Sequence, residues 1–153
     1  MPLGGRRKAI QPASQPAIMQ ARTRQVQAMP RAVVTGGSGK AGEFICCELL
    51  ANGWQVVNAD VAAPGSRTHY DGSTIAPRHA GRTEFIQVDI TDMGQLVSAT
   101  SGADAIIHMA AYPSPGPPPE HAVFETNVMA VWNVLEVRPA AVGRNSCRIL
   151  ACT

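Results

Sequence analysis

The stretch from Arg31 to Gly42, RAVVTGGSGKAG, decides how the rest of the chain is read. A short apolar run enters a turn dense in glycine, with Gly36, Gly37, Gly39 and Gly42 placed where a helix is due to begin. A strand feeding such a turn lets backbone N–H groups approach a pyrophosphate, and the helix N-terminus adds orphan donors and a favourable dipole. In that reading Gly36 permits the turn, Gly39 the close approach of phosphate and Gly42 the packing of helix against strand. The plain alternative is an ordinary tight turn with no ligand.

Working outward, Ala32 to Thr35 predicts a buried first strand. A helix comes next over about Lys40 to Ala51, with Phe44, Ile45, Leu49 and Leu50 as its inward face and Asn52-Gly53 as its stop. Gln55 to Ala59 predicts the second strand, ending at Asp60, and the polar stretch from Ala62 to Arg82 a long surface loop. Glu84 to Val88 is the third strand, and Thr91 or Asp92 caps a helix running to about Thr100. Ala105 to Met109 is the fourth strand. The segment SPGPPPE then leads into a helix from about Glu120 to Val137, which Pro139 helps to end, and Arg148 to Cys152 is the fifth strand. Strands alternating with helices imply parallel pairing through right-handed crossovers, hence an α/β, doubly wound open sheet of order 3-2-1-4-5. Ligands of such sheets sit beyond the carboxyl ends of the strands at the switch point, here the glycine turn and the segment after Met109.

The chain has 153 residues, 45% of them hydrophobic, which is enough for one domain with a core and too little for two. Its charge is unevenly placed. Arg6, Arg7, Lys8, Arg22, Arg24 and Arg31 precede every one of the 11 acidic residues, so the net charge of +2 conceals a folded part that is net negative. That part lacks a basic stripe with interleaved aromatics, which argues against nucleic acid as a partner. No apolar run is long enough to span a bilayer as a helix, so no membrane role is expected. Cys46, Cys47, Cys147 and Cys152 have neither metal spacing nor a plausible disulfide framework, which suits a reducing, cytoplasmic setting and no metal site. Residues 1–30, rich in Arg and Pro, predict a disordered basic extension, with an organelle transit peptide as the competing reading. Met29, directly before the first strand, is a further candidate start.

Asp60 lies at the end of the second strand, roughly 20 residues past the turn, where a carboxylate can accept from the adenosine ribose hydroxyls. It would repel a ribose 2′-phosphate, which favours NAD over NADP. Against this, Asp60 can equally be a turn residue, and Lys40 or Arg67 could attract an extra phosphate.

VVTGGSGKAG, VDITD at 88–92, HMAAYPSPG at 108–116 and TNVMAVWNVLE at 126–136 occur in that order. Over about Met29 to Thr153 the chain thereby resembles the extended short-chain dehydrogenase/reductase family, and within it the NAD-dependent epimerase/dehydratase group. The likeness covers the N-terminal half of a typical member and implies a Rossmann-type fold. It implies that the turn Gly36, Gly37, Ser38, Gly39, Lys40, Ala41 and Gly42 carries the pyrophosphate and that Asp60 binds the ribose. Asp89 and Ile90 match the pair at the adenine, and Ala110, Ala111 and Tyr112 the nicotinamide side. Asn127 matches a helix asparagine that steadies the active-site backbone. Each has a plainer role to set beside this one: a strand-end polar group for Asp89, simple packing for the alanines, a structural amide for Asn127. His108 is expected to be a satisfied strand residue rather than a catalyst. The sequence departs from the family where Ala130-Val131 replaces a Gly-Thr pair and where VRPAAVGRNSC precedes the last strand.

In such proteins a Tyr acts as acid/base, a Lys lowers its pKa, and a Ser or Thr orients the substrate. Thr153 aligns with the last of these. The only tyrosines are Tyr70 and Tyr112 and the only lysines Lys8 and Lys40, so no Tyr-x-x-x-Lys spacing exists in the chain. The expectation is the NAD-binding portion of an oxidoreductase acting on a nucleotide sugar, uronate or similar polyol, the substrate domain being absent and turnover negligible. The alternatives are a catalytically inactive, truncated NAD-binding module and a remnant too incomplete to bind anything. The helix over Glu120 to Val137 offers Val123, Phe124, Val128, Val131 and Val134 as a possible homodimer face, or else as a core face.

Overall fold

The computed structural model describes residues 29–68, 72, 74, 78–113, 118–137 and 148–151. Five strands, β1 (Arg31–Thr35), β2 (Gln55–Asp60), β3 (Glu84–Gln87), β4 (Ala105–His108) and β5 (Arg148–Ala151), form one sheet of order β3-β2-β1-β4-β5. Every pair is parallel, with Thr35 opposite Ala59 on one side and His108 on the other. This is the Rossmann-type order expected from the sequence. The central strands are apolar throughout because both faces of the sheet are covered. Ala32, Val34, Val56, Ala105 and Ile107 pack against α1 (Lys40–Ala51), while Val33, Val57, Ala59 and Ile106 pack against α2 (Met93–Thr100) and α4 (Ala130–Glu136).

Two features of the helices differ from the expectation. Phe44 is 55% exposed and lies beneath the Arg78 guanidinium, while Gly42, Glu43 and Cys46 are the buried positions of α1. At 3.6 residues per turn Phe44 falls opposite the face defined by Gly42, Cys46 and Leu49, so its apolarity misleads where its phase does not. Burial, reinforced by neighbouring Glu43, pushes the Cys46 thiol up to about 12, and the residue behaves as a small core hydrophobe.

The helix after the proline segment is also not continuous. A short α3 (Glu120–Phe124) passes through a π-helical turn at Glu125–Met129 into α4. Such a turn inserts one residue and rotates the helix beyond it, so the face read from a regular period splits. Ala130 and Val134 are buried, whereas Phe124 and Val128 are half exposed. The α2 cap is Asp92 and not Thr91: its Oδ1 accepts from the Gly94 and Gln95 amides at 2.8 and 3.1 Å. Those bonds hold the Asp92 carboxyl below its usual range. Residues 1–28, Tyr70, Pro139, Cys147, Cys152 and Thr153 lie outside the described residues.

Leu96 is fully buried at the centre of the α2 side. Leu96→Ala should lower the unfolding free energy by about 2–5 kcal/mol in urea titrations, and Phe44→Ala by less than about 1 kcal/mol. The reverse ranking would contradict the packing described.

Candidate active site

At the switch point β1 and β4 stay paired to their carboxyl ends, Thr35 opposite His108, and the chain then leaves β1 for α1 on one face of the sheet and β4 for α4 on the other, turning at very close quarters. Gly36 has a φ of 70°, and a Cβ on it would lie 2.6 Å from the Ala110 amide nitrogen. A Cβ on Gly42 would meet the Gly36 carbonyl and come within 2.7 Å of the Gly37 Cα. The turn is therefore wedged between the β4 exit and the first turn of its own helix. Only glycine fits at 36 and 42, and Gly39 is less constrained, a Cβ there lying 3.2 Å from the Gly36 oxygen. Gly42 thus packs helix against turn, where the sequence reading had it packing helix against strand.

A cleft of about 340 Å³ opens above this turn. Of the residues singled out in the sequence, Gly36, Gly39, Asp60, Asp89, Ile90, Ala110, Ala111 and Tyr112 line it. Lys40, Ala41 and Gly42 form the first turn of α1, whose N-cap, Gly39, supplies no side-chain bond. The amides of a first helical turn have no partner within the helix, so this end can serve an anion. Gly37 and Ser38 are buried behind the cleft. A Cβ on Gly37 would strike the Asn58 amide, and Asn58 Nδ2 donates to Ser38 Oγ at 3.0 Å.

Asp60 is 3% exposed and closely bonded. Its Oδ2 accepts from the Ser38 amide at 3.0 Å, and its Oδ1 from the Ala62 amide at 3.0 Å and from Arg67 Nη2 at 2.7 Å. A carboxylate offers about four acceptor positions, so Oδ2 retains one for a further donor. Arg67 also lines the cleft, which brings a cation beside the acid. Asp89 lines the cleft while its Oδ1 accepts from the Thr91 amide and hydroxyl at 2.9 and 2.7 Å, so its turn-forming role is realised. Asn127 does not line the cleft. Its amide pairs with the Tyr112 backbone in both senses, Oδ1 accepting from the N–H at 2.8 Å and Nδ2 donating to the carbonyl at 3.0 Å. The π-helical turn that carries Asn127 also brings Glu125 and Thr126 into the cleft wall. His108 is buried with Nδ1 2.7 Å from the Thr35 hydroxyl, a satisfied strand residue; burial lowers its pKa.

Sequence reasoning missed Glu43, His79, Glu125 and Thr126. For Glu43 there was a signal: it sits between Gly42 and Cys46 on a face otherwise apolar, and a buried carboxylate demands a partner. The partner is His79, in irregular chain, whose Nε2 lies 2.7 Å from Glu43 Oε2. Among the described residues no cluster of His, Cys, Asp or Glu could hold a metal ion, and no helix is long and apolar enough to cross a membrane.

A doubly wound parallel sheet with a glycine turn at its switch point and an acid closing β2 defines a Rossmann-type fold. Within that class, the model of the NAD-dependent epimerase/dehydratase family matches residues 32–150, and the chain belongs to that family. It is 28% identical over 113 residues to an L-arabinose 1-dehydrogenase (NAD(P)(+)) of Haloferax volcanii, covering 74% of this chain and 37% of that protein. It superposes with a TM-score of 0.53 on a Thermus thermophilus UDP-glucose 4-epimerase in complex with NAD, at 26% identity, covering 70% of this chain and 33% of that one. A short-chain dehydrogenase/reductase superfamily protein of Agrobacterium tumefaciens with bound NAD shares the fold, with a TM-score of 0.58 at 23% identity over 78% of this chain and 31% of that one. The chain thus spans about a third of the length of each of these proteins.

This geometry has two measurable outcomes. Gly42→Ala should cost about 1–3 kcal/mol of stability in urea titration, since α1 must move off the turn; an unchanged midpoint would contradict the contact. Because burial lowers the His108 pKa, the unfolded chain takes up the proton first as pH falls. Its contribution is present above the unfolded value of about 6.5 and is lost below it. The melting midpoint should therefore fall between about pH 7.5 and pH 5.5, and His108→Gln should remove part of that fall. An identical pH slope in the variant would contradict the assignment.

Proposed function

We propose that this chain is the NAD-binding portion of an NAD-dependent epimerase/dehydratase-type oxidoreductase whose substrate is a nucleotide sugar, uronate or similar polyol. The observation that carries the reading is the uncapped N-terminus of α1, opening beside Gly36 and Gly39 onto a cleft that Asp60 also lines. In this reading the amides of Lys40, Ala41 and Gly42 donate to the pyrophosphate. Asp60 Oδ2 accepts from a ribose hydroxyl, and Asp89 and Ile90 border the adenine. Ala110, Ala111 and Tyr112 border the nicotinamide, with Asn127 holding the Tyr112 backbone in place through its paired hydrogen bonds. NAD, when bound, supplies the hydride-accepting group. The role of this chain is to hold and orient it.

The substrate class rests on the relatives, one named as a dehydrogenase of a pentose and one as an epimerase of a nucleotide sugar. For the cofactor, the buried Asp60 carboxylate disfavours a 2′-phosphate by like-charge repulsion, and NAD is preferred. Arg67 at 2.7 Å offsets part of that charge, so discrimination against NADP is limited.

Calorimetric titration of the 153-residue chain tests the binding of the cofactor and the preference for NAD. NADH should bind with a Kd below about 100 μM and more tightly than NADPH. Asp60→Ala should weaken NADH about tenfold or more, and Arg67→Ala should weaken NADPH more than NADH. No saturable NADH binding up to about 1 mM would overturn the reading.

A further inference from the structure

Behind the glycine turn lies a buried polar cluster that takes no part in the cleft wall. His79 is 0% exposed and Glu43 4% exposed, although both are polar and His79 belongs to an irregular segment. The His79 Nε2 lies 3.0 Å from the Gly37 carbonyl oxygen and 2.7 Å from Glu43 Oε2. Its backbone amide donates to Glu43 Oε1 at 3.1 Å, and its Nδ1 lies 3.0 Å from the Thr83 hydroxyl. One imidazole thus ties together the turn, the first turn of α1 and the residue before β3. With the ring proton on Nε2, that N–H donates to the Gly37 carbonyl with Glu43 Oε2 close beside it, and Nδ1 accepts from Thr83.

The significant partner is the Gly37 carbonyl. The peptide group joining Gly37 to Ser38 is held at both ends: its oxygen faces His79 Nε2 at 3.0 Å, and its N–H donates to Asp60 Oδ2 at 3.0 Å. Gly36, Gly37 and Gly39 have no Cβ to restrict rotation there, so the turn's sequence does not by itself dictate which way this peptide points. A reversed peptide would aim a carbonyl at the Asp60 carboxylate and remove a donor from it. Both changes would disturb the acid at the cleft and add negative potential where an anion is to bind.

We propose that His79 is a positioning residue for the dinucleotide-binding turn, locking the Gly37–Ser38 peptide so that its N–H stays on Asp60 and its carbonyl stays turned away from the cleft. Glu43 anchors the imidazole and Thr83 sets its rotation. The proposal rests on the cofactor reading above and adds to it a residue far from the turn in sequence, with no contact with the ligand.

The test compares two variants of the full chain that differ in reach. His79→Gln places an amide donor near the Nε2 position and can meet the Gly37 carbonyl; His79→Asn carries its amide near Nδ1 and cannot. NADH affinity is measured by calorimetry together with the Ser38 amide proton shift, which reports the bond to Asp60. The Asn variant should bind NADH about tenfold more weakly, with the Ser38 proton moved upfield, and the Gln variant should restore both to near the parent values. Equal affinities and equal Ser38 shifts in the two variants would overturn the lock while leaving the cofactor reading intact. Failure of the parent chain to bind NADH would overturn both. In the parent protein a through-hydrogen-bond coupling from His79 Nε2 to the Gly37 carbonyl carbon should be present with and without NADH. Its absence overturns the lock whether or not the variants fold.

Discussion

Backbone meets backbone at the switch point. The Gly36 Cα lies so near the Ala110 amide that no side chain fits between them, and the first turn of α1 rests on the Gly36 and Gly37 main chain with equal closeness. These contacts set where α1 begins, how its N-terminus is aimed and how far the β4 exit stands from the turn. The cleft lies above that knot of main chain, and its walls are the carboxyl end of β2 and the segments that come after β1, β2, β3 and β4. A larger residue at 36 or 42 would alter every one of those relations together.

Polar groups secure what glycine leaves free. Asp60 bonds to Ser38 and Ala62, Asn58 supports Ser38, and the pair of Glu43 and His79 closes on Gly37 from behind. All of these groups are buried or nearly so, and each would be costly without its partner. A turn so rich in glycine would otherwise sample several peptide orientations, and the surrounding side chains convert it into one surface. Behind the Tyr112 part of the wall the Asn127 amide does the same for the Tyr112 backbone, imitating the hydrogen bonds of a neighbouring strand.

The strand order and most element bounds were legible in the sequence. β1, β2 and β4 are buried on both faces, so apolar runs such as Ala32 to Thr35 stand out without any alternation, and the intervening helices require parallel crossovers. Asp60 was legible because strand length and turn position together place it at the cleft. The orientation of Phe44 was not, since counting apolar residues without fixing their phase assigned it inward. The π-helical turn at Glu125–Met129 was hidden because nothing in TNVMAVWNVLE interrupts a regular helical period. The His79 contact was hidden for a different reason: its partner Glu43 lies 36 positions earlier, and an irregular segment has no period from which a long-range pairing can be read.

Amide chemical-shift mapping of NADH on the labelled chain tests the account most directly. The account predicts the largest shifts at the amides of Gly39, Lys40, Ala41 and Gly42, with a second group at Asp60, Asp89 and Ile90 and a third at Ala110 to Tyr112. Shifts confined to other surfaces, or none at saturating NADH, would contradict the claim that the turn at the switch point is the dinucleotide site.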